Sequence, residues 1–164
     1  VNRLSYVIIM VKYNNLLSCY VRSEIMSDTL NICGLTVERG HKLRTFLPVP
    51  DTNVKIPLTI INGCEDGPTL LITAGIHGGE YPGIAAAMEL GRDIEPSDVN
   101  GILIMMHPVN IQGFWARREM IVPEDGKNLN VTHSLFLALG KEQKSSVQST
   151  LLLMDALECP NRNS

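Results

Sequence analysis

His77 and Glu80 stand three residues apart in the stretch TAGIHGGEYPGIAAAMEL, which runs from Thr73 to Leu90. An imidazole and a carboxylate at that spacing can converge on one ion where a loop bends into a helix. Gly75, Gly78 and Gly79 remove side chains that would crowd the approach, and they permit backbone angles that other residues avoid. One nitrogen and one oxygen ligand on a borderline cation favour zinc, and catalysis there needs a third protein ligand and an open position for water. Of the remaining histidines, His107 precedes Pro108 at the end of a strand-like run and is the best placed to join them, whereas His41 and His133 read as surface residues. The plainer alternative is an exposed histidine followed by a glutamate that complements the start of a helix.

A second cluster lies in WARREMIVPEDGKNLN, from Trp115 to Asn130. Arg117 and Arg118 precede a Pro/Asp/Gly turn, and Asn128 and Asn130 follow it. Arginine holds a carboxylate through two parallel hydrogen bonds, and asparagine can add to that grip. Taken alone, the cluster is more simply a solvated loop with charged ends.

The elements that must position these residues are legible from periodicity. LNICGLTVERG, KLRTFLPV and VKIPLTIING read as strands, with turns at Gly40-His41, Pro50-Asp51-Thr52-Asn53 and Glu65-Asp66-Gly67-Pro68. TLLITAG, from Thr69 to Gly75, is an apolar run of the kind found in a strand covered on both faces. Pro82 suits the first turn of a helix that continues through GIAAAMELGRDI and stops at Glu95-Pro96. GILIMMHPVN is the next buried strand, so the spacing predicts a βαβ unit with parallel strands. The fold class is therefore α/β with a mixed or parallel sheet, in which ligands bind beyond the carboxyl ends of the strands. His77 and Asn110 both lie at such ends.

A chain of 164 residues is about one domain, and 45% hydrophobic with 19% charged residues is ordinary for a soluble fold. A net charge of -3 provides no broad basic surface, so nucleic acid is not an expected partner. Cys19, Cys33, Cys64 and Cys159 have neither disulfide-scaffold nor thiolate-zinc spacing and read as reduced, structural residues. YVIIMV, from Tyr6 to Val11, is too short to span a bilayer, so the expectation is a cytoplasmic protein without membrane contact. Residues 1–25 look unlike the rest and read as a doubtful extension before a natural start at Met26, the alternative being an extra strand or helix packed on the core. Residues 131–164 read as a divergent, helix-like tail ending in CPNRNS, and the sequence leaves room for a homo-oligomer.

Together, GIHGGEYPG, HPVNIQGFWARR and DGKNLN, in that order, resemble the succinylglutamate desuccinylase and aspartoacylase family, within the zinc carboxypeptidase superfamily. The resemblance covers roughly Leu30 to Asn130 and implies a zinc-carboxypeptidase-like mixed sheet with flanking helices, in an incomplete version. It implies that residues 26–130 are the N-terminal part of a catalytic domain, and that His77 and Glu80 are the first two zinc ligands. Asn130, with Asn128, would bind the carboxylate of an N-acyl amino acid or related small molecule, and Arg117 or Arg118 would polarise the scissile carbonyl. The implied reaction is hydrolysis of an amide or ester by metal-activated water. Val131, Thr132 and His133 stand where the family pattern has an arginine and a phenylalanine/proline/glycine turn. The family's third zinc ligand and catalytic glutamate are not recognisable. These departures suggest a truncated or frameshifted product with impaired activity, or a non-catalytic fragment that binds a partner or a small carboxylate. A phosphate-cradling glycine loop fits less well, because the lysine and Ser/Thr of a P-loop are missing.

Overall fold

The computed structural model describes residues 7–11, 17–23, 28–49, 52–118, 120–121 and 123, with the backbone alone for 7–11 and 17–23. The strands are β1 Val7–Val11, β2 Leu17–Ser23, β3 Thr29–Ile32, β4 Leu35–Glu38, β5 His41–Pro48, β6 Lys55–Asn62, β7 Glu65–Thr73 and β8 Asn100–Met106. Among the described residues the helices are α1 Tyr81–Asp93 and α2 Ile111–Trp115, and a 3-10 turn spans Pro96–Asp98. Six strands form one sheet in the order β1-β2-β7-β8-β6-β5, while β3 and β4 form a separate hairpin. Among the described strands only β7 and β8 run parallel; Leu71 pairs with Ile104 and Thr73 with Met106. The sheet is mixed, and β7-α1-β8 is the expected βαβ unit.

The apolar runs form central strands because both faces of the sheet are covered, which removes the usual alternation. On one face Ile56, Leu58, Ile60, Leu71, Ile104 and Met106 pack with Ile32 and Val37 of the β3-β4 hairpin. On the other face Ile61, Ile72, Leu103 and Met105 form a second cluster, joined by Ile94 and Val99 beyond α1. Helix α1 buries Ile84, Ala87 and Gly91, a stripe at helical spacing, against this second face. Lys42 of β5 fixes its far end, donating to the carbonyls of Arg92 at 3.0 Å and Ile94 at 2.7 Å. A cation there satisfies carbonyls that the helix leaves unpaired and complements its dipole.

Two local readings change. LNICGLTVERG is not one strand but a hairpin, folded back at Cys33 and Gly34 with φ of 48° and 75°. Two consecutive positive φ values are what a tight two-residue hairpin turn requires. The Glu65-Asp66-Gly67-Pro68 stretch is not a turn either but the irregular start of β7, with a register shift between Glu65 and Thr69. A bulge lets the strand carry a proline that a regular ladder would exclude. Two segments of the first 25 residues join the sheet at its edge, β2 pairing antiparallel with β7. Among the described residues no helix is long and apolar enough to cross a membrane.

Candidate active site

The site is built where the two parallel strands end. Their exit loops are laced together: Ala74 N donates to Met106 O at 2.9 Å, Val109 N to Ala74 O at 2.9 Å, and Asn110 N to Gly75 O at 3.0 Å. Gly75 has φ +69°, and a Cβ there would lie 2.7 Å from Ile84 and 2.8 Å from Pro108. A Cβ on Gly78 would lie 2.3 Å from the backbone of Gly113 and Phe114. At Gly78 glycine therefore brings two backbones into contact, and at Gly75 it lets the loop close on the side chains of Ile84 and Pro108, rather than clearing space for an ion. The loop that carries His77 is pressed directly onto the first turn of α2.

On that loop His77 Nδ1 and Glu80 Oε1 are 2.9 Å apart, with side chains only 11% and 13% exposed. Glu80 is also the N-cap residue of α1, yet its side chain makes no capping hydrogen bond. It turns to His77 instead. Its second oxygen, Oε2, is buried with no hydrogen-bond partner. A buried, unpaired carboxylate oxygen is costly. A divalent cation bound by this oxygen and the neighbouring imidazole would relieve that cost, so the donor set fits zinc as two of its ligands. Among the described residues no group of three His, Cys, Asp or Glu side chains could hold a metal.

His107, the best placed of the other histidines in sequence, is directed elsewhere. It is buried on the α1 face of the sheet, with Nε2 3.0 Å from Thr59 Oγ1. A Cβ on Gly91 of α1 would lie 3.4 Å from Nε2, so the helix covers the ring. Burial pushes the His107 pKa below its ordinary value, and the nearby Arg44 charge adds to the lowering. His41 is exposed, with Nδ1 3.0 Å from Arg39 O. His133, Asn128 and Asn130 lie outside the described residues.

Arg117 and Arg118 are exposed just beyond the end of α2. Arg117 N donates to Phe114 O at 3.2 Å and Arg118 N to Gly113 O at 2.9 Å. These two bonds make a Schellman helix end, whose left-handed residue is usually glycine. Here it is Arg117, with φ +52°. That conformation costs a side chain roughly 1–2 kcal/mol. Sequence reasoning missed the role of Asn110, which caps α2 by accepting from Gly113 N at 2.8 Å. The available signal was an asparagine directly before the short apolar run Ile111–Trp115.

With the geometry described, comparison with known proteins defines the class. A family model, the succinylglutamate desuccinylase/aspartoacylase catalytic domain, matches residues 66–153, more than half of the 164 residues. The chain belongs to this family. The matched region extends past Asn130 into residues 131–153, part of the segment that reads from sequence as a divergent tail. The N-alpha-acetyl-L-2,4-diaminobutyric acid deacetylase of Halomonas elongata is 39% identical over 92 residues, 52% of this chain and 26% of that protein. The succinylglutamate desuccinylase/aspartoacylase of Rhodobacter sphaeroides has a similar structure, with a TM-score of 0.58 and 26% identity, over 79% of this chain and 39% of that one. The product-bound ectoine utilization protein EutE of Ruegeria pomeroyi matches with a TM-score of 0.54 and 30% identity, over 72% of this chain and 35% of that one. The chain therefore spans between 26% and 39% of these relatives' own length.

Proposed function

We propose that this chain carries part of the active site of a zinc-dependent hydrolase that cleaves an amide or ester bond of an N-acyl amino acid or related small molecule. The observation that carries the reading is the buried His77-Glu80 pair, with one carboxylate oxygen left unpaired at the end of β7. When bound, zinc would lower the pKa of a coordinated water towards neutrality and polarise the scissile carbonyl. His77 would supply an imidazole nitrogen and Glu80 a carboxylate oxygen to hold the ion. An arginine from the turn after α2 would share the negative charge that develops on the carbonyl oxygen. Arg117 is favoured over Arg118 for this role because its strained backbone is the kind of cost that persists at functional sites. Asn128 and Asn130 are proposed to hold the substrate carboxylate, as the family resemblance implies.

N-acetylated amino acids are the first substrates to test, because the Halomonas elongata relative is named for deacetylating one. With no third ligand among the described residues, the chain by itself is proposed to bind zinc weakly and to turn over slowly. The test is elemental analysis of purified wild-type and His77→Ala protein, paired with hydrolysis assays on N-acetyl and N-succinyl amino acids. Zinc in the wild type that disappears with His77→Ala supports the proposal. Wild-type protein that takes up no zinc and hydrolyses nothing would leave a non-catalytic carboxylate-binding or partner-binding role as the better reading.

A further inference from the structure

We infer that Asn110 is a positioning residue that holds the arginine turn in register with the His77-Glu80 loop; this rests on the hydrolase reading above. Asn110 is 1% exposed, and its backbone and side chain reach three separate segments. Its backbone N–H donates to Gly75 O at 3.0 Å, in the loop that carries His77. Its Oδ1 accepts from Gly113 N at 2.8 Å, and its carbonyl accepts from Phe114 N at 3.0 Å, which builds the first turn of α2. Its Nδ2 donates to Ile121 O at 3.4 Å, on the chain that returns from the arginines.

Helix α2 has five residues, too few to be stable by itself, so its placement has to be imposed. Two contacts impose it. Gly78 abuts the Gly113-Phe114 backbone from the side of the metal loop. The Asn110 amide fills the space that a Gly113 side chain would need, 2.6–2.8 Å from its ideal Cβ. Gly113 then passes the constraint on: its N–H is held by Asn110, and its carbonyl holds the Arg118 N–H at 2.9 Å. The buried Asn110 amide, together with the Gly78 contact, thus sets where the arginine-bearing turn stands relative to His77 and Glu80.

The inference separates positioning from metal binding, since Asn110 itself is not a ligand in this scheme. The test compares the full chain as wild type, Asn110→Ala and Asn110→Asp. The aspartate keeps the acceptor that caps α2, loses the donor to Ile121 and adds a carboxylate charge that complements the N-terminus of α2. Amide exchange is read at Gly113, Phe114 and Arg118, emission is read from Trp115, the single tryptophan of the chain, and zinc uptake is titrated. For Asn110→Ala, exchange at those amides should rise about threefold to thirtyfold, the range expected for losing a cap. Trp115 emission should shift, while zinc affinity stays within about threefold of wild type. Asn110→Asp should recover most of the exchange protection. On the most readily hydrolysed N-acyl amino acid, Asn110→Ala should lower kcat with little change in KM. Unchanged exchange in Asn110→Ala, or zinc affinity and global stability lost together in both variants, would overturn the inference. A wild-type chain without zinc or turnover would defeat the hydrolase reading alone, because exchange and emission still decide whether Asn110 holds the turn.

Discussion

Glu80 and Asn110 occupy equivalent places at the ends of neighbouring parallel strands, and the chain uses them differently. Each is the N-cap of the helix that follows, with φ and ψ of -83° and 57° at Glu80 and -88° and 69° at Asn110. Asn110 caps its helix with its side chain, whereas Glu80 leaves α1 uncapped and faces His77. The histidines differ in their partners: His107 pairs through one nitrogen with a hydroxyl beneath a helix, its Nδ1 buried without a partner, and His77 pairs with a carboxylate whose second oxygen is unpaired. A polar group withdrawn from a structural task its position would allow is a stronger sign of function than burial or residue type alone.

The contrast can be broken most forcefully at His77. Outer-shell partners of a metal ligand already cost about 10–100-fold in affinity when removed. His77→Ala should therefore lower zinc affinity by more than about 100-fold, whereas His107→Ala should leave it nearly unchanged; isothermal titration with zinc distinguishes them. Equal losses in both variants would show that the two histidines share one site.

Packing gives the next largest effect. Gly78→Ala drives a methyl group into the α2 backbone and should destabilise the fold by about 1–3 kcal/mol. Gly83→Ala, in α1 with nothing within 4 Å of its ideal Cβ, should stabilise by about 0.5–1 kcal/mol. Urea denaturation of both variants measures the difference, and matched midpoints would mean that the two loops are not in contact at Gly78.

Glu80→Ser sharpens the comparison by making this end of the sheet resemble the other. Serine can cap α1 through the Gly83 N–H, and the substitution removes the unpaired carboxylate oxygen. The metal-free protein should gain about 0.5–1 kcal/mol while zinc binding collapses. A variant that is both less stable and zinc-free would argue that Glu80 is chiefly structural.

The smallest expected effect is a pH slope. Burial holds the folded His107 pKa below its ordinary value of 6.5, so near that pH the unfolded chain takes up a proton that the folded chain refuses. Its contribution to stability is complete above that value and falls as the pH drops below it, by less than about 1.4 kcal/mol per pH unit. Denaturation of chelator-treated protein between pH 7.5 and 5.5 should show a shallower decline for His107→Gln than for wild type. Parallel curves would place the titration elsewhere.

Much of the framework was legible because the signals involved are local. TLLITAG and GILIMMHPVN announced buried strands by their unbroken apolar character, and the Pro82-led helix between them made the βαβ unit predictable. Turns were less reliable. Glu65-Asp66-Gly67-Pro68 has turn composition, but pairing with Asn100 drew Glu65 into β7, and Cys33-Gly34 formed a hairpin turn that LNICGLTVERG concealed among strand formers.

From the sequence alone come the spacing of His77 and Glu80, the order of the three motifs and the family they resemble, because these depend only on neighbours along the chain. Only the tertiary structure decided that Glu80 turns away from its helix, that His107 is sealed under α1, and that Arg117 rather than Arg118 takes the left-handed conformation. The burial of His107 follows from segments distant in sequence, where Thr59 and Gly91 leave the ring a single place to go; Glu80 and Arg117 settle among near neighbours, in backbone geometry that the order of residues does not state.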